Sequence, residues 1–157
     1  MELINYIFIF GAKYLYLLAG VIALVWFWKL SKEKKKEIIL FSIIALPAIY
    51  IFSKISAWLY FNPRPFVIGH FTPLLPHDPD NGFPSDHILL ISAIASLIFP
   101  YSKKVSAEIW IIAVLVGISR VYVGIHNPID IVGSVVISTV VSTLAYFVFI
   151  KFIKNLN

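Results

Sequence analysis

Gly82-Phe83-Pro84-Ser85-Asp86-His87 closes a polar, proline-rich segment and opens the apolar run Ile88–Phe99. The change of character at Ser85 predicts a helix start, with Ser85 as N-cap and Asp86 in the first turn. Such a start turns free backbone N–H groups and the positive end of the helix dipole toward whatever lies in front of it. That is an anion site, and phosphate suits it. His87 stands in the same turn and can move a proton.

Outward from this point the chain is strongly apolar. Of its 157 residues 60% are hydrophobic, and the mean hydropathy is +0.90. A water-soluble domain is closer to half apolar. The expectation is an all-α integral membrane bundle with about five transmembrane helices, in a single domain covering residues 1–157. The apolar run Leu3–Phe10 is too short to span and reads as an interfacial helix. Spans are expected over Tyr14–Leu30, Ile38–Phe61 with a kink at Pro47, Asp86–Phe99, Val105–Val123 and Ile129–Ile153. Glu2 stands where a cleavable signal would carry basic residues, and no small-residue cleavage site follows. With no cysteine, disulfides, thiolate metal sites and a thiol nucleophile are excluded.

The helix expected over Asp86–Phe99 is short. From His87 onward it reaches about 20 Å at ~1.5 Å per residue, against a hydrocarbon core of roughly 30 Å. Its N-terminus therefore lies below the headgroup plane, where a bound phosphate belongs to a lipid. The net charge of +5 is topological and implies no nucleic-acid partner. Alternating spans put Lys29, Lys32, Lys34, Lys35, Lys36, Lys103, Lys104, Lys151 and Lys154 on one side, nine of the 13 basic residues. Basic residues stay in the cytoplasm. The Pro84–His87 turn then faces the extracytoplasmic side of the cytoplasmic membrane.

Two further clusters fall on that same face. Asn62-Pro63-Arg64-Pro65 holds one guanidinium between two prolines, and Arg presents phosphate oxygens with a fixed fork of donors. Ser119-Arg120 is followed after five residues by His126, and after three more by Asp130. Asn127 and Pro128 read as N-cap and first residue of the last helix. Asp130, three residues past the cap, can reach back as a capping-box acid does and fix the tautomer of His126. Singly, these features suit an interfacial anchor, a plain helix start and a self-contained cap. Together they make a phosphoryl-transfer site. His126 attacks, with Asp130 as orienter. Arg64, Arg120, the Ser85 hydroxyl and nearby N–H groups hold the phosphoryl oxygens, and His87 protonates the leaving oxygen.

The three clusters resemble the signature motifs of the type-2 phosphatidic acid phosphatase superfamily: lysine, six residues and Arg-Pro; Pro-Ser-Gly-His; and Ser-Arg, five residues, His, three residues, Asp. The resemblance implies a phosphohistidine on His126, His87 as general acid, and neither metal nor cofactor. There are two departures. Asp86 replaces the glycine, and the family lysine would fall at Ala57, whereas the nearest lysine is Lys54, one turn earlier. The wording from Tyr60 to Val67 and from Phe83 to His87 resembles undecaprenyl-diphosphate phosphatases of the bacitracin-resistance type. It implies hydrolysis of undecaprenyl diphosphate to undecaprenyl phosphate, with Lys54 and Asp86 among the phosphate-binding residues. The alternatives are a phosphatase for phosphatidic acid, phosphatidylglycerol phosphate or lipid A, and a non-enzymatic anion transporter. His70, His77, Asp78 and Asp80 read as a polar lid over the headgroup in preference to a metal site. Gly117, Gly124, Ser134, Ser138 and Ser142 read as close-packing positions between helices.

Overall fold

A computed structural model describes residues 2–154. Among them are six helices and no strand: α1 Glu2–Trp28, α2 Lys32–Leu59, α3 Pro65–Ile68, α4 Asp86–Ile98, α5 Lys103–Tyr122 and α6 Pro128–Lys154. Local sequence explains most of these boundaries. Ser31 caps α2 by accepting from Lys34 N at 3.4 Å, and Ser102 caps α5 through Val105 N at 3.4 Å. Pro128 opens α6, where its missing N–H costs nothing.

α1 corrects one expectation. Leu3–Phe10 is no separate interfacial helix; it forms the first turns of a continuous helix of 27 residues. Nothing between Phe10 and Tyr14 breaks the backbone, since Gly11 costs only about 1 kcal/mol in a helix. Gly11 also lets α1 press against α5, because a Cβ there would collide with the Ser119 hydroxyl. The all-α membrane bundle itself is as expected. α1, α2, α5 and α6 are long and apolar enough to cross a membrane, whereas α4 has 13 residues and does not.

α4 lies at the centre and packs against α1, α2, α5 and α6. One side, Ile88, Ile91, Ala95 and Ile98, meets Ala19 of α1 and Ile109, Ile112, Ala113 and Val116 of α5. Leu89 and Ala93 meet Ile49 of α2 and Val141 of α6. Between lipid-embedded helices the hydrophobic effect supplies no drive, so small residues and interhelical hydrogen bonds decide the packing. Ser134 Oγ donates to Ser85 O at 3.0 Å, Ser138 Oγ to Leu89 O at 2.9 Å, and Ser106 Oγ to Ala95 O at 2.8 Å. Gly117 faces Ile131 of α6, which a Cβ would approach to 2.9 Å. Gly124 acts differently: it lies in the turn after α5 at φ 82°, a conformation glycine adopts freely.

Phe41 of α2, Leu97 and Tyr101 at the end of α4, and Phe149 of α6 share one cluster. The lysine-bearing ends of these elements are thus gathered at one end of the bundle. The N-terminus of α4 and the turn between α5 and α6 stand at the other.

Candidate active site

The turn from Val123 to Asn127 carries His126 into the bundle, 2% exposed. Asp130, fully buried in the first turn of α6, reaches back as a capping acid. Its Oδ2 accepts from Asn127 N at 2.8 Å and lies 3.2 Å from His126 Nδ1. Its Oδ1 accepts from Asn62 Nδ2 at 2.7 Å. A carboxylate can only accept, so Nδ1 carries the ring proton and Nε2 keeps its lone pair.

That nitrogen faces two buried guanidinium groups. Arg120, in the last turn of α5, places Nη2 3.3 Å from Nε2 and anchors Nη1 on Ala12 O of α1 at 3.0 Å. Arg64, the residue before α3, places Nη1 3.5 Å from Nε2 and donates the same nitrogen to Ile125 O at 2.8 Å. Its Nε donates to Asp80 Oδ1 at 2.7 Å. Burial holds the His126 imidazole below its ordinary value; the Asp130 hydrogen bond opposes this and the two arginine charges reinforce it. The ring is therefore neutral at pH 7. Partial burial pulls Asp80 upward, but the hydrogen bond and charge of Arg64 outweigh it, leaving the carboxyl below the usual range. His77 is lowered by partial burial first, then by the charges of Arg64 and Arg120.

A cavity of about 360 Å³ lies in front of these groups. Arg64, Arg120, His126 and His87 border it together, with Ser53, Lys54 and Ala57 of α2 along another wall. Both the position of Lys54 and the position where the family spacing puts its lysine reach the same space. Lys54 Nζ lies 5.3 Å from the centre of the Tyr50 ring. His87 rests edge-on against Tyr16 of α1 at 4.6 Å, and the exposed Asp86 also borders the cavity. Ser85 departs from expectation. It is the N-cap of α4, but its side chain makes no capping bond. The Oγ is buried without a partner, and Ser85 does not line the cavity.

Of the proposed lid, His77 and Asp80 border the cavity, while His70 and Asp78 do not. Among the described residues no three His, Asp or Glu side chains gather as a metal site. Three contributors were not legible in the sequence. Asn62 steadies Asp130. Asn81 braces the loop, its Oδ1 accepting from Asn62 N at 2.9 Å and Phe83 N at 3.0 Å, while its Nδ2 donates to Ala57 O at 3.0 Å and Tyr60 O at 3.1 Å. Gly82 leaves room for Asp130, whose Oδ2 would lie 2.9 Å from a Cβ. Asn62 beside a Pro-Arg-Pro run and an Asn-Gly pair were the available signals.

A helical bundle built to cross a bilayer, with an oriented imidazole facing two arginines in one polar cavity, defines the class: an integral membrane phosphatase. The model of the PAP2 superfamily matches residues 35–154, and the chain belongs to that superfamily. It is 35% identical over 148 residues to a Bacillus licheniformis protein named bacitracin transport permease protein BcrC, covering 93% of this chain and 71% of that one. It is 29% identical over 145 residues to the undecaprenyl-diphosphatase BcrC of Bacillus subtilis, covering 92% and 75%. Among solved structures, Aquifex aeolicus LpxE shares the fold at TM-score 0.71 and 22% identity, over 93% of this chain and 87% of that one. A PAP2 type phosphatidylglycerolphosphate phosphatase from Bacillus subtilis aligns at TM-score 0.57 and 26% identity, over 96% and 76%.

Proposed function

We propose that this protein, acting as a single domain, hydrolyses undecaprenyl diphosphate to undecaprenyl phosphate and inorganic phosphate. The observation that carries the chemistry is His126, with Nδ1 held by Asp130 and Nε2 left facing Arg64 and Arg120. Relatives named undecaprenyl-diphosphatases support the substrate.

Nε2 attacks the terminal phosphorus. The bond from phosphorus to the bridging oxygen breaks, and that oxygen takes a proton from His87 and leaves on the lipid. The two guanidinium groups hold the equatorial oxygens, where charge is spread in the transition state. Asp130 stabilises the imidazole as it becomes positive. In the second half, water attacks the phosphohistidine while His87 takes its proton, releasing phosphate and free His126. No step uses a metal ion. Lys54 adds positive charge along the α2 wall of the cavity. Ser85 acts indirectly, through the start of α4. The site lies at the end of the bundle away from the lysines, which supports an extracytoplasmic orientation in the cytoplasmic membrane.

Phosphate release by detergent-purified protein tests this. Undecaprenyl diphosphate, phosphatidylglycerol phosphate, phosphatidic acid and lipid A are compared side by side, with and without EDTA. The expected result is preference for the polyprenyl diphosphate, full activity in EDTA and inhibition by vanadate. A His126→Ala variant as active as the parent would refute the mechanism, and phosphate flux into liposomes without ester cleavage would make the protein a transporter.

A further inference from the structure

The donors of Arg64 are not equally committed. Nε donates to Asp80 Oδ1 at 2.7 Å, and Nη1 donates to Ile125 O at 2.8 Å while facing His126. Nη2 makes no hydrogen bond among the described residues and is left for a phosphoryl oxygen. In the planar fork of a guanidinium Nη2 shares one edge with Nε, so a carboxylate seated on Nε stands beside the donor that phosphate needs. Oδ1 alone is hydrogen-bonded to the guanidinium. The two partners also differ in freedom: the Arg64 side chain is 6% exposed and the Asp80 side chain 62%.

The loop carrying Asp80 is fixed on both sides. Downstream, Asn81 is tied to the end of α2 through Ala57, Tyr60 and Asn62, and Gly82 N donates to Asn62 O at 2.9 Å. Upstream, Leu74 N donates to Val123 O at 3.0 Å, and Leu75 packs against the cluster of Ala12, Val123 and Ile125. The backbone thus holds Asp80 at the border of the cavity, while its broad terminal torsion leaves the two carboxylate oxygens free to turn. Asp86, the other carboxylate bordering the cavity, forms no ion pair among the described residues.

We propose that Asp80 is a positioning residue that governs how tightly the site holds phosphate: Oδ1 keeps Arg64 turned toward His126, and Oδ2 competes with phosphate for Nη2. The proposal rests on the phosphoryl-transfer reading of this site and adds the step in which product leaves. Two guanidinium groups that grip the transferred phosphoryl group also grip the phosphate that remains once the phosphohistidine is hydrolysed. Affinity shared by both states raises no rate, and product release limits many enzymes. A carboxylate beside Nη2 supplies a replacement acceptor as phosphate departs, so the buried guanidinium is not left unpaired. No covalent bond is made or broken in this exchange. An uncharged acceptor in place of Asp80 would orient Arg64 equally well, which separates the two effects of the carboxylate.

Affinity and rate test the proposal separately on detergent-purified protein. Inorganic phosphate is titrated calorimetrically into the parent, Asp80→Asn and Asp78→Asn. Asp80→Asn should lower the Kd about three- to fivefold, the effect of one partly exposed ion pair. Asp78→Asn removes an exposed carboxylate of the same loop that does not border the cavity, and its Kd should equal the parent's. An unchanged or weaker affinity in Asp80→Asn, or an equal gain in Asp78→Asn, would overturn the proposal. Single-turnover phosphate release should be about tenfold slower in Asp80→Ala, the effect of one lost charge-assisted hydrogen bond. In Asp80→Asn, whose amide oxygen still accepts from Nε, it should stay within about twofold of the parent. An Asp80→Ala protein as fast as the parent would show that Arg64 needs no such hold and would overturn the proposal as well. Melting curves in the same detergent separate these changes from unfolding. A parent that cleaves no lipid phosphate would remove the reaction itself, while the calorimetric comparison would still decide the role of Asp80 at the anion site.

Discussion

Asp130→Asn is the sharpest perturbation of this site, because it keeps the shape of the side chain and changes only what it can accept. The carboxylate accepts three hydrogen bonds: from Asn127 N and His126 Nδ1 on one oxygen, and from Asn62 Nδ2 on the other. An amide has one oxygen. If it stays toward Asn127 and His126, its NH₂ meets the NH₂ of Asn62. If it turns, two donors lose their acceptor, and His126 is driven to the tautomer with its proton on Nε2. Either state costs about 1.5–3 kcal/mol for a charge-assisted bond lost in a buried place. The catalytic loss is larger. The wrong tautomer has no lone pair facing the phosphorus, and in the serine-protease triad the same change costs about 10⁴-fold in kcat. A fall of about 10³- to 10⁴-fold, roughly 4–5.5 kcal/mol in barrier, is expected in single-turnover phosphate release, with KM within about threefold of the parent. Thermal unfolding in the same detergent reports the smaller stability cost. A folded Asp130→Asn protein keeping a tenth or more of parental kcat would refute the assignment of Asp130 as the group that orients His126.

Arg120→Lys should lower kcat by about 10²-fold, since an ammonium cannot both hold Ala12 O and reach the phosphoryl oxygens as a planar fork does; steady-state kinetics beside a melting curve separate this from unfolding. The pH profile should show an acid limb from His126. Burial lowers its pKa, so the reactive neutral ring persists below the ordinary value of about 6.5, and the acid limb of kcat/KM should be centred below that pH; an acid limb centred at or above about 6.5 would count against His126 as nucleophile. Gly82→Ala puts a methyl group 2.9 Å from Asp130 Oδ2 and 3.2 Å from Asn62 O; a loss of about 1–3 kcal/mol in stability is expected, together with reduced kcat, because the group displaced orients the nucleophile.

The helices were largely legible because their causes are local. Apolar runs, Ser31, Ser102 and Pro128 act within a turn or two of where they stand, and Asp130 reaches back only four residues to His126. The misjudged elements were those where a tertiary contact overrides the local signal. Leu3–Phe10 looks like a run too short to span, but Gly11 packs on Ser119 and α1 continues through it to Trp28. Ser85 looks like a capping side chain, but its hydroxyl is buried away from the cap. Asn81 gave no periodic signal at all, because three of its four partners, Ala57, Tyr60 and Asn62, lie 19 to 24 residues back along the chain.

The sequence by itself determined that this chain is a helical membrane protein carrying the motifs of a phosphatase, since hydropathy and motif spacing are properties of neighbours along the chain. Only the tertiary structure decided that Nε2 is the free nitrogen, that Arg120 is tied to Ala12 at 108 residues' separation, and that Asn62 steadies Asp130 across 68. No spacing rule reaches so far, because such contacts are chosen by how whole helices pack, and a helix can turn the same residues toward several different neighbours.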